Sequence, residues 1–301
     1  MMFLQSACQG GTSTFSQLIL KEKLSFTMKM AGVDSSRVPD NSDTFCTGKD
    51  SAFLPFNRCN LPASLLGSLS FQQHPVPLIL DGVATLHRSL FKHLQAMPDA
   101  AARAQRFMDY MTVHFCLEAL EEAGLDAGSK QKRANANYLR VLRGWGFDSS
   151  GREGAVLKGW VESRFGLAVQ YHQGNFLLDR CKGLYGTNAL ESQLDLVYTY
   201  CQYELALSHS QQSHLTLYRG VNALDEYRVL ERDGKRAVVV MNNVSSFTHS
   251  RERADEFGDY IIEARVPLVK VLGYYDLLPK LLRGEGEFLV VGGVYEVSIN
   301  A

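Results

Sequence analysis

With 301 residues and 31 basic against 32 acidic side chains, the chain can hold one large or two modest domains. Its formal charge of −1 argues against a general nucleic-acid or membrane-surface binder. The six cysteines (Cys8, Cys46, Cys59, Cys116, Cys181, Cys201) form no C-x-x-C pair and the eight histidines no ligand spacing, so a cytoplasmic protein with reduced thiols and no bound metal is expected. No apolar run approaches the ~20 residues that cross a bilayer, and no basic start leads into an apolar export segment.

Residues 1–50 are rich in Ser, Thr, Gly and Asp and lack sustained periodicity, which reads as a poorly ordered tail, with Met28 and Met30 as alternative starts. Residues 51–301 are expected to form a single domain. Its opening, "NRCNLPASLLGSLSFQQHPVPLILDGV", carries Pro75 and Pro77, which enforce an extended path, and Asp81-Gly82, a turn or a helix entry. The rest of 51–209 is mostly helical. Phe107, Met111, Phe115 and then Leu120 follow a helical stripe after Pro98, a first-turn proline. Leu190, Leu194, Val197, Cys201 and Leu205 do the same in a second long helix, and Trp145 and Trp160 between them are read as packing in helix interfaces.

Over 210–301 the texture turns to short β-rich segments: "HLTLYRGV", "RAVVVMNNVSSFT" and "DYIIEARVPLVKVLGYY". A short helix, "SRERADEFG", interrupts them, with Ser250 as N-cap and Gly258 as stop. The final run, "LLRGEGEFLVVGGVYEV", reads as two strands of a hairpin turned at Gly292-Gly293. The expected class is α+β, a helical first half followed by a mixed β core.

Three features of the β half carry chemistry. Glu285 and Glu287 flank one glycine; if Gly286 is extended they share a face about 6.5–7 Å apart, whereas a solvated loop would leave them unremarkable. Arg219-Gly220 ends an apolar strand, where the planar fork can grip a phosphate or carboxylate and the glycine can admit a ligand to the backbone. A surface salt bridge is the plainer alternative. The hydroxyls of "SSFT", Ser245 to Thr248, can orient a nearby carboxylate, although Ser and Thr are also ordinary turn residues.

The order of these words, strand-Arg-Gly, Ser-Phe-Thr and then Glu-x-Glu opening a late strand, resembles the signature of arginine-directed mono-ADP-ribosyltransferases. "HPVPLILDGV", "ANYLRVLRGWGFDSSGREGAVLKGWVESRFGL", "LYRGVN", "NNVSSFTHSRERADEFGDYI" and "EGEFLVVGG" together resemble the NAD–dinitrogen-reductase ADP-ribosyltransferase family, from about residue 57 to the end. The middle triplet is Ser-Phe-Thr, not the Ser-Thr-Ser of many toxins of the wider class.

The resemblance implies a β core of the ADP-ribosyltransferase type and NAD as substrate, with no metal. By family analogy Glu287 holds the ribose hydroxyl and stabilises the oxocarbenium-like cation left when nicotinamide departs, with Ser246 holding its carboxylate. Nicotinamide leaves as a neutral molecule and needs no acid, in contrast to a glycosidase leaving group. Glu285 is then free for the acceptor arginine, whose protonated guanidinium is a poor nucleophile until a carboxylate aligns it and accepts its proton. Arg219, Gly220, Ser246, Phe247 and Thr248 lie on the NAD side, with Phe247 or Tyr260 stacking on nicotinamide or else belonging to the core. No G-x-G-x-x-G fingerprint is needed, and "RGWGFDS" has only two of its three glycines.

The implied acceptor is an arginine of dinitrogenase reductase, and the implied regulator is a PII-type signalling protein, sought first on the helical half. The alternatives are an arginine transferase with another target, an NAD glycohydrolase, or a non-catalytic binding module. Deleting residues 2–45 is expected to leave solubility, melting temperature and catalysis close to those of the full chain, because that segment lacks apolar periodicity. An insoluble product, or one melting many degrees lower, would show that the segment is structural.

Overall fold

The computed structural model describes residues 52–117, 137–223, 227–279, 282 and 286–300. Helices fill the first half: α1 (Ala63–Leu66), α2 (Leu69–Gln73), α3 (Val83–Leu86), α4 (Arg88–Gln95), α5 (Ala100–His114), α6 (Tyr138–Phe147), α7 (Arg152–Phe165), α8 (Phe176–Leu184) and α9 (Leu190–Ser208). Six strands follow among the described residues: β1 (His214–Val221), β2 (Arg228–Asp233), β3 (Arg236–Thr248), β4 (Tyr260–Pro267), β5 (Val271–Tyr274) and β6 (Glu287–Asn300). The short helix α10 (Arg251–Asp255) lies between β3 and β4. The class is α+β, as the sequence texture predicts.

Every strand pairing is antiparallel. The long strand β6 is the hub. It pairs along its length with β3, and on its other edge with β5 near its start and β4 near its end. β4 pairs with β1, and Tyr218 of β1 meets Thr248 of β3, so the pairings β3–β6–β4–β1–β3 close a ring.

The expected hairpin at Gly292-Gly293 is absent; both residues lie inside β6. They are glycines because other backbones come close. A Cβ on Gly292 would collide with the Asn242 carbonyl, and one on Gly293 (φ +111°) would lie 2.9 Å from Gly67. Opposite this point β3 carries a bulge between Met241 and Val244. Asn242 and Asn243 at the bulge tie the sheet to the helical half. The Asn243 amide donates to the carbonyls of Lys158 (2.8 Å) and Leu167 (3.1 Å), and that of Asn242 to the Tyr171 carbonyl (2.8 Å).

Helix α9 buries Leu190, Leu194, Val197, Cys201 and Leu205, the predicted stripe, and lies in the main core with β5 and β6. Phe107 and Met111 of α5 and the adjoining Phe115 are also buried; Leu120 lies outside the described residues. The two buried arginines are paired with carboxylates. Arg103 donates to both carboxylate oxygens of Glu204, at 2.8 and 2.7 Å, and Arg164 does the same with Asp195, which also accepts from the Trp160 indole. Among the described residues Lys270 has no acidic partner; its ammonium donates to the Gly292 carbonyl and sits over the Tyr295 ring, and burial pushes its pKa down to about 7.

Two local expectations are corrected. Pro98 precedes the N-cap Asp99, whose carboxylate accepts from the Ala102 amide, so it stands outside the first turn of α5. Ser250 does cap α10, but Gly258 does not stop it by a left-handed turn. The helix ends at Asp255, and Gly258 is needed because its α-carbon packs on the Val221 backbone. Among the described residues no helix is long and apolar enough to cross a membrane.

Gly292→Ala is expected to cost about 1–3 kcal/mol, since the added methyl meets a backbone that the bulge holds in place. The check is a lower denaturant midpoint with an unchanged slope.

Candidate active site

Strands β1, β3 and β6 bring three distant words of the sequence to one place. Thr248 of β3 is the register partner of Glu287 on one side and of Tyr218 on the other. Ser246, two residues before Thr248, lies on the same face and diagonal to Glu287. Its hydroxyl donates to Glu287 Oε1 at 2.8 Å. Arg219, which follows Tyr218, donates from Nη1 to the Ser246 carbonyl and from Nε to the Tyr227 hydroxyl, both at 2.8 Å. Part of the guanidinium fork is therefore committed to the protein, and among the described residues Nη2 makes no hydrogen bond.

The helical half closes the site from another side. The Trp145 indole of α6 donates to the Ser246 hydroxyl at 2.7 Å. A Cβ on the next residue, Gly146, would lie 3.7 Å from Glu287 Oε2, so the end of α6 faces the second carboxylate oxygen. Trp160 packs in a helix interface as the sequence predicts, whereas Trp145 reaches the sheet. Burial raises the pKa of Glu287 above the usual carboxylate value; the Ser246 hydrogen bond and the positive charge of Arg219 oppose that rise.

Gly286 has φ +73°, and a Cβ there would run into the His249 imidazole. It is left-handed, not extended, so strand alternation does not set the relation between Glu285 and Glu287. Glu285 itself lies outside the described residues. The Thr248 hydroxyl accepts from the Ser250 amide at 3.1 Å, closing the turn into α10, so it is Ser246 that orients the carboxylate. Phe247 is 2% exposed and belongs to the core, which leaves no ring face for nicotinamide; Tyr260 is half-buried against the same core. Gly220 is required by packing, because a Cβ would collide with the Ala254 carbonyl of α10.

Sequence reasoning missed Trp145 and Tyr227. The glycines on either side of Trp145 in "RGWGF" hint at close approach, while nothing marks Tyr227. Among the described residues no group of three or more His, Cys, Asp or Glu side chains is placed to hold a metal ion.

A half-buried carboxylate held by a serine, an arginine at the adjoining strand end and a late strand opened by Glu287 fit an NAD-dependent mono-ADP-ribosyltransferase. The family model described as Dinitrogenase reductase ADP-ribosyltransferase (DRAT) matches residues 56–299, and the chain belongs to that family. Over 259 residues it is 40% identical to the NAD(+)–dinitrogen-reductase ADP-D-ribosyltransferase of Rhodospirillum rubrum, a match that covers 81% of this chain and 94% of that protein. No solved structure matches the chain.

The raised pKa of Glu287 has a consequence for stability. A carboxyl that is harder to ionise when folded destabilises the protein above its folded pKa, and that penalty disappears below its unfolded pKa. Glu287→Gln, whose amide oxygen can still accept from Ser246, is expected to be at least as stable as the wild type at neutral pH. The advantage should close as pH falls through the folded pKa, and denaturant titrations at a series of pH values would show it. A loss of stability at neutral pH would contradict the assignment.

Proposed function

We propose that this protein transfers ADP-ribose from NAD to one arginine of dinitrogenase reductase, releasing nicotinamide and switching nitrogenase off. The observation that carries the reading is the Ser246–Glu287 hydrogen bond beside Arg219. Family membership and the name of the Rhodospirillum rubrum relative support the choice of acceptor.

The reaction breaks the bond between ribose and nicotinamide, and the nicotinamide keeps the bonding electrons. The ribose is left short of electrons and carries positive charge. Glu287 offers that charge a fixed, partly desolvated carboxylate: Oε1 is held by Ser246 and Oε2 faces Gly146. The free end of the Arg219 guanidinium grips the nucleotide, with the Gly220 main chain beside it toward the nicotinamide amide. Glu285 aligns the acceptor guanidinium and takes its proton as the new carbon–nitrogen bond forms.

The reading also carries a cytoplasmic location, a PII-type signalling protein as regulator on the helical half, and a 1–50 segment outside the catalytic domain. Cross-links from that regulator to the β half would overturn its placement. Labelled NAD with purified reductase tests the acceptor. A labelled reductase supports the reading; labelling of other proteins alone favours a different target, release of free ADP-ribose alone favours a glycohydrolase, and no consumption favours a binding module.

The two glutamates should fail differently. Glu287→Gln is expected to lower kcat about 10²–10³-fold for transfer and for NAD hydrolysis together, since both pass through the cation. Glu285→Gln should abolish transfer while slow hydrolysis persists, because water needs less alignment than a protonated arginine. Normal transfer by Glu285→Gln, or full activity of Glu287→Gln, would refute these roles.

A further inference from the structure

The Trp145 indole is not part of the three-word signature, yet it is hydrogen-bonded to the group that holds Glu287. An indole N–H can only donate, and a serine hydroxyl has one hydrogen and two lone pairs. With Nε1 at 2.7 Å, the Ser246 oxygen must accept on that side. Its only hydrogen is then directed to Glu287 Oε1 at 2.8 Å. Accepting one hydrogen bond also strengthens the one donated, by an estimated ~10–30%. We propose that Trp145 is a positioning residue for the transfer reaction: it commits the Ser246 hydroxyl to Glu287 Oε1 and so fixes the carboxylate that faces the ribose. This rests on the reading that Glu287 faces the ribose cation.

The surroundings of the indole support such a role. Trp145 is buried, 5% exposed. The Lys158 ammonium of α7 lies 5.8 Å from its centroid and is anchored to the Tyr171 carbonyl at 3.0 Å. The Ser246 backbone is fixed independently, through Arg219 on its carbonyl. Four elements thus hold one serine: α6 and β6 at its hydroxyl, β1 at its carbonyl and β3 through the chain itself.

Among the described residues the charged groups on each side are few. Arg219 from β1 acts directly on Glu287. Behind the indole, Lys158 of α7 is influenced by Asp148, which follows α6. After β3, His249 lies against the Gly286 carbonyl at 3.4 Å. None of these changes when the indole N–H alone is removed, so a shift in the titration of Glu287 would report the lost hydrogen bond.

The test uses the full chain with NAD and reductase. Trp145→Phe is expected to lower kcat on the order of tenfold for both transfer and hydrolysis, with KM for NAD within about twofold. The acid limb of its kcat–pH profile should move to higher pH, because a weaker Ser246 bond favours ionised Glu287 less. In a Ser246→Ala background the same change should cost nothing further. A benzothienylalanine at position 145 keeps the shape of the indole and exchanges N–H for sulfur; it should reproduce the defect without the packing loss. Wild-type kinetics for that isostere, an unmoved acid limb, or an equal loss in the Ser246→Ala background would overturn the proposal. Full activity of Glu287→Gln would instead remove the reading of Glu287 on which it rests.

Discussion

The candidate site depends on the Ser246–Glu287 hydrogen bond, which holds a carboxylate in a place that disfavours charge. Burial raises its pKa, and a hydroxyl and a guanidinium oppose that rise. In the proposed reaction such a carboxylate would meet the developing cation with less competition from water than at an open surface. Neither opposing group is close to Glu287 in sequence. Ser246 arrives on β3 and Arg219 on β1, and the ring of pairings β3–β6–β4–β1 is what places both beside the start of β6.

The helical half is joined to this arrangement at two levels. Asn242 and Asn243, at the bulge of β3, take three carbonyls from the segment between α7 and α8 and from α7 itself. These bonds fix the helices against β3 a few residues before Ser246. Trp145 and Gly146 then complete the wall around Glu287 from α6. The division into a helical half and a β half is therefore one of texture along the chain and does not separate a scaffold from a site.

Many glycines that look like ligand contacts or turns serve close packing of backbone on backbone. Gly220 admits the Ala254 carbonyl, Gly258 the Val221 backbone, and Gly292 the Asn242 carbonyl. A compact β core wrapped by helices and loops needs such approaches, and a methyl group at any of them meets main chain that cannot rotate away. Gly286 is different: its left-handed φ turns the chain just before β6.

The sequence by itself determined the α+β texture, the buried stripe from Leu190 to Leu205, the cap at Ser250 and the words that meet at the site. Each rests on local periodicity, local hydrogen bonding, or residue types and order seen within a short window. Tertiary structure decided the rest. It kept Gly292-Gly293 within one strand, because a bulge across the sheet absorbed them. It chose Ser246 over Thr248 as the partner of Glu287, because strand register put the first diagonal to the carboxylate while a local turn captured the hydroxyl of the second. It brought Trp145 to the serine from 101 positions away. Contacts of that kind depend on how whole elements pack, and no pattern of neighbouring residues encodes them.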